Sequence, residues 1–319
     1  MTALVIAALA SVLGGQPGAR DHLLVSLSGE ARIVRIDPET TRVIASYPAV
    51  VGPHEITVSP DRRFAYVANA GSGPGGKPGE AITAIELSSG QVTQIMTTPH
   101  RQPHDLRVSR DGTLLWVAVA PSRAVIEMNS AGGRVLRSLG AQRDGGWFVI
   151  ATPDDAKLYV PLLEGRGLTA IDRSSGTSRL IISGGAFSGA DVTPDGRELW
   201  ALEHESRRLH IVSTATDTVI GAVPLESADF GRVRFTPDGA RLLLVQAHRL
   251  HVIDVRSRRI TLSLNLPFAG KVVAVSPDGR RAAVSHPADD QVSVIDLERL
   301  AVLATMATGR TPDGVAWVR

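Results

Sequence analysis

Two histidines, His54 and His104, each follow a proline and precede a carboxylate, Glu55 and Asp105, and each stands the same distance ahead of a turn aspartate, Asp61 or Asp111. The same step back from Asp154, Asp195, Asp238 and Asp278 reaches Trp147, Ser188, Gly231 and Lys271, and alignment of the last strand adds Asp313. Imidazole beside carboxylate is equipment for general acid–base work or for holding a divalent cation. An aromatic such as Trp147 is a plug or a stacking platform. Glu203, His204 and His286 extend the set from other loops, so the candidate metal ligands are His54, His104, His204 and His286. Their spacing is not diagnostic, because ligands drawn from separate repeats obey no local rule.

Several classes of chemistry are absent. There is no cysteine, which removes disulfides, thiolate metal sites and cysteine nucleophiles. No nucleophile elbow, phosphate loop, zinc helix motif or dinucleotide fingerprint occurs. Formal net charge is +2, and the basic residues are almost all arginine, a poor footprint for nucleic acid.

The elements that must position these side chains are written in a long repeat. The turn Ser59-Pro60-Asp61-Arg62 returns as Ser109-Arg110-Asp111-Gly112, Thr152-Pro153-Asp154-Asp155, Thr193-Pro194-Asp195-Gly196, Thr236-Pro237-Asp238-Gly239 and Ser276-Pro277-Asp278-Gly279. A leading hydroxyl, a proline that presets φ and a tolerated glycine suit a type I turn joining two antiparallel strands. A second marker, a small polar or acidic residue closing the third strand, falls at Asp37, Glu86, Asn129, Asp172, Ser213, Asp254 and Asp296.

The markers recur at roughly 42 residues, with short β-branched runs such as Phe64 to Ala68 between them. Four strands per unit at that period predict an all-β, seven-bladed β-propeller. The second marker has one copy more than the first, so one blade is split between the chain ends. Val315 to Val318 supplies its inner strand and residues 22 to 48 the other three, closing the ring.

The unit Pro53-His54-Glu55-Ile56-Thr57-Val58-Ser59-Pro60-Asp61, then Tyr66-Val67-Ala68-Asn69, then the strand Val292 to Asp296, resembles the YVTN family of β-propeller repeats, which are WD40-like. The likeness covers essentially the whole mature chain. It departs at Leu243 and Ala283, which replace the aromatic of Tyr66, and in the other blades, which lack the asparagine of Asn69. The resemblance implies an exported bacterial propeller. In agreement, Met1 to Leu13 is apolar and small residues follow, so residues 1–19 read as a signal peptide without the usual basic start, and residues 20–319 as one propeller domain. The rival reading is a misassigned start codon. Export predicts a periplasmic or secreted protein with no transmembrane segment in the mature chain.

In a propeller the loops leading into the inner strands share a face with those joining second to third strands, and that face carries six of the nine histidines. The extra Gly- and Pro-rich loop Gly71 to Gly79 lies there too. The leading expectation is an exported binding or scaffold module whose ligand face is the channel mouth, taking a protein or a small molecule. The alternative is an enzyme. Seven-bladed lactonases and streptogramin lyases look similar in architecture, and that resemblance implies ring opening by His and Glu side chains, with a divalent metal as cofactor in some. The plainer alternative makes His54 and His104 partners of loop carbonyls, and Glu203, His204 and His286 ordinary solvated loop residues.

Overall fold

A computed structural model describes residues 21–71 and 76–318. The signal-peptide expectation and the tip of the Gly71 to Gly79 loop lie outside them.

The chain forms seven four-stranded antiparallel sheets arranged as blades. Blade 1 runs from Pro53 to Thr97, and blades 2 to 6 follow in order to Ala307. Blade 7 is the sewn one. Its inner strand, Pro312–Val318, pairs with His22–Leu27, which continues to Arg32–Asp37 and Arg42–Pro48. Val315 faces Val25 and Trp317 faces Leu23 across the seam, where the sequence placed the closure.

Burial follows position in the blade. Middle strands such as Leu114–Val119 are buried on both faces because each blade is covered by two neighbours, and they read as continuous apolar runs. Outer strands such as Arg42–Pro48 are mostly exposed. The core is therefore divided among the blade interfaces; Trp200, Leu202 and Ile211 of blade 4, for example, pack on Val233, Phe235 and Leu244 of blade 5.

The turns are more demanding than their sequence implied. Each hydroxyl bonds its aspartate, as Ser109 Oγ does to Asp111 Oδ1 at 2.6 Å, and the fourth residue has positive φ, +76° at Gly112 and +59° at Asp155. Glycine there is favoured by the left-handed backbone, beyond being merely tolerated.

Candidate functional site

Where the inner strands reach the mouth face, their pairing slips. Register breaks fall between Pro53 and Ile56, Pro103 and Asp105, and Phe187 and Gly189, and between Val25 and Leu27 opposite Pro312–Val318. A bulge re-aims the side chains it contains, and these bulges carry His54, His104, Ser188 and Asp313. Ser26 fills the break in blade 7, donating from Oγ to the His54 carbonyl and accepting from the Gly314 amide at 2.8 Å.

Five consecutive positions of the mouth ring touch. Asp313 Oδ2 accepts from Lys271 Nζ at 2.9 Å and lies 2.6 Å from His54 Nδ1, the latter contact outside hydrogen-bond alignment. The His54 and His104 rings lie 4.6 Å apart, and His104 meets the Trp147 ring edge-on at 5.0 Å. Trp147 Nε1 donates to Glu164 Oε2 at 2.7 Å.

The channel is closed one layer below. The Arg232 guanidinium crosses from blade 5 to Glu55 of blade 1 at 2.9 Å and lies 3.3 Å from the centre of the Phe148 ring. Arg107 pairs with Asp105 at 2.6 Å, and the other Asp105 oxygen accepts the Val149 amide. About 30 Å³ remains open here, room for a water or two. The plug is therefore Arg232 with Phe148, while Trp147 belongs to the rim.

Electrostatics separate these groups. Burial opposes charge on Asp313, but Lys271 and His54 outweigh it and hold the carboxyl well below its usual range. Burial, with His54 and Arg232 nearby, drives His104 well below the ordinary imidazole value and keeps it neutral. Burial also raises Glu55, against the pull of Arg232. Four buried polar atoms here have no hydrogen-bond partner: Asp313 Oδ1, His54 Nδ1, His104 Nδ1 and Arg232 Nε. Buried polar atoms are seldom left so. Over Asp313, His54 and Lys271 opens a cleft of about 610 Å³ that runs out across the seam past Gly52, Glu30 and Arg310.

The remaining candidates lie elsewhere. Glu203 bonds His210 Nε2 at 2.6 Å, and His204 stacks on Phe230 with Nδ1 3.2 Å from the Ala228 carbonyl. His286, a ligand candidate whose plainer reading is a solvated loop residue, is fully buried, bound to Ser293 Oγ at 2.8 Å and the Ala269 carbonyl at 3.2 Å. The turn Pro287–Asp289 and the Phe268 ring cover it. The four candidate metal ligands thus do not converge, and no group of three or more His, Asp or Glu among the described residues is arranged to hold a metal ion. Lys271 already occupies the carboxylate that such an ion would need. Sequence reasoning passed over Arg232 and Phe148 as a plug, and Arg107 and Ser26 altogether.

Together these features define a seven-bladed propeller with a sealed channel and a polar, partly unsatisfied mouth. No family model and no curated protein matches the chain. Among solved structures it is similar to the periplasmic gluconolactonase PpgL of Pseudomonas aeruginosa, at 20% identity over 94% of this chain and 99% of that one, TM-score 0.73. It is also similar to Kuenenia stuttgartiensis hydrazine synthase, at 20% identity over 86% and 92%, TM-score 0.75. A protein of unknown function from Desulfotomaculum acetoxidans superposes with TM-score 0.80 at 13% identity, over 93% and 99%. At such identities the likeness shows the fold alone.

Proposed function

We propose that this propeller binds a small polar molecule in the cleft over His54, Lys271 and Asp313. One observation carries the reading: Asp313 is a buried, ionised carboxylate with Oδ1 unpartnered at the floor of an open cleft. A ligand hydroxyl or N–H donating to that oxygen satisfies it, and the Lys271 ammonium beside it donates to a ligand carbonyl or carboxylate. The repeat motifs and the apolar start, Met1 to Leu13, support placing the protein among exported YVTN-type propellers.

The contact between His54 and Asp313 favours a second reading, lactone hydrolysis, which the similarity to a gluconolactonase also supports. Alignment of the Nδ1 proton with Asp313 Oδ2, 2.6 Å away, orients the imidazole and leaves Nε2 to take a proton from water. The water oxygen attacks the lactone carbonyl, Lys271 stabilises the oxyanion, and the ring C–O bond breaks as the alkoxide takes back the proton, giving the hydroxy acid.

One experiment addresses both. Hydroxy acids, sugars and lactones are screened by thermal shift, and hits by calorimetry and acid release, on wild type, Asp313→Asn and His54→Gln. Binding predicts a ligand-dependent rise in Tm in wild type, weakened at least about tenfold in Asp313→Asn. Hydrolysis predicts acid release that His54→Gln abolishes while binding survives. A wild type that no compound stabilises would sink the binding reading, and turnover in His54→Gln equal to that of wild type would sink the catalytic one.

A further inference from the structure

We propose that the ligand of the mouth cleft is a free α-amino acid, with its ammonium on Asp313 Oδ1 and its carboxylate on Lys271. This rests on the reading that the cleft binds a small polar molecule, and it names the class. An acceptor and a donor stand side by side at the cleft floor, and both have bonding capacity to spare. Asp313 is ionised and 2% exposed, with Oδ2 committed to Lys271 and Oδ1 accepting nothing. Lys271 gives one N–H to Oδ2 at 2.9 Å, and its side chain, about a third exposed, lines the cleft. An ammonium carries three N–H donors, so among the described residues two are left for a ligand.

Charge selects among the ligands that could fill these two positions. A simple carboxylate would sit on Lys271, bring a second negative charge beside Asp313 and leave Oδ1 unpartnered. A simple amine would satisfy Oδ1 and place a second cation beside Lys271. A 2-hydroxy acid supplies both hydrogen bonds, but its anion meets Asp313 with no positive charge of its own. In an α-amino acid each pole of the ligand meets the opposite pole of the protein, so every hydrogen bond is charge-assisted and no like charges are forced together. The wider cleft agrees with a zwitterion. The lysine, arginine and carboxylate residues that line it are Lys271, Arg310, Asp313 and Glu30, two of each sign, so its field draws neither a net anion nor a net cation. Spacing narrows the class further. Oδ1 and Nζ are separated by one carboxylate and one hydrogen bond of 2.9 Å, so the ligand's poles must also be near neighbours, as they are on a single α-carbon. The side chain then leaves along the seam, where Gly29, Gly52 and Gly71 add no side chains and Val51 offers an exposed apolar surface.

The test titrates matched ligands into the full chain by calorimetry: alanine, lactate and ethylamine, then phenylalanine, phenyllactate and phenethylamine, with β-alanine as the isomer that spreads the poles. The tighter of the two amino acids should exceed its own hydroxy acid and its own amine at least about tenfold, and alanine should exceed β-alanine several-fold. Asp313→Asn should erase the preference over the hydroxy acid, because the charge that the ammonium answers is gone. Should that variant fail to fold, Lys271→Gln takes its place and should erase the preference over the amine. A preference that the folded variant keeps overturns the assignment. A hydroxy acid that equals its amino acid, or a sugar or lactone that binds where neither amino acid does, also overturns it and leaves the cleft a binding site for another class. Absence of saturation by every one of these compounds at about 20 mM, where even a weak millimolar site would fill, overturns the assignment and the binding reading together.

Discussion

On the turn face six blades repeat one device: a serine or threonine hydroxyl bonds the aspartate two residues on at 2.5 to 2.6 Å, and a left-handed residue follows. On the mouth face the equivalent positions of the seven inner strands hold His54, His104, Trp147, Ser188, Gly231, Lys271 and Asp313. Repetition belongs to what every blade must do, which is to turn and stack. Divergence marks positions released from that duty, and there the unsatisfied atoms collect. If repeated features carry the fold and unrepeated ones the function, removing each kind should have effects that differ in kind as well as size.

The largest loss should follow from opening the seam. Deleting Val315 to Arg319 removes the pairing with His22–Leu27 and exposes the surfaces that Val315, Trp317 and Val318 bury. Burying such side chains contributes roughly 1.5 to 3 kcal/mol each, before the bare edge and two uncovered blade faces are counted. The truncated chain should aggregate or melt far below the full chain in a thermal scan; an unchanged Tm would refute closure by the termini.

Next comes the plug. Arg232→Ala leaves Glu55 buried without its partner and takes the guanidinium off Phe148. Breaking a buried pair costs about 3 to 5 kcal/mol. The double change Arg232→Met with Glu55→Gln should recover most of that in denaturant unfolding, because no lone charge remains. If the single and double variants were equally destabilised, the cost would lie in packing and not in charge.

How far the sequence reached follows the same division. The ring, the seam and the mouth positions were all legible from the turn aspartates, because a fixed period converts position in the chain into position in space. Side chains that act across the ring were not. Arg232 meets Glu55 from four blades away, and Ser26 fills a bulge in the blade that lacks the marker turn. His286 was counted with the loops joining second to third strands, yet it ends its second strand and Pro287 begins the turn that covers it.

The smallest effect separates the faces by pH. His104 has its pKa depressed by burial beside His54 and Arg232, so the unfolded chain takes up a proton that the folded one refuses. Its contribution is intact above the ordinary imidazole value near 6.5 and is lost as pH falls below it, by at most about 1.4 kcal/mol per pH unit for one proton. Asp111 on the turn face behaves oppositely in cause, since hydrogen bonds favour its charged form and lower it to about 2. Its contribution is present above the ordinary aspartate range and disappears only as pH drops through that range toward 2. Stability against pH should therefore fall in two stages, the buried histidines first, and the turn aspartates together with Asp313 later. His104→Phe should diminish the first stage, leaving the shares of His251 and His286, and Asp111→Asn should take only its own share from the second, since five other turn aspartates are lowered in the same way. A first stage undiminished in His104→Phe would show that the buried mouth is not what titrates there.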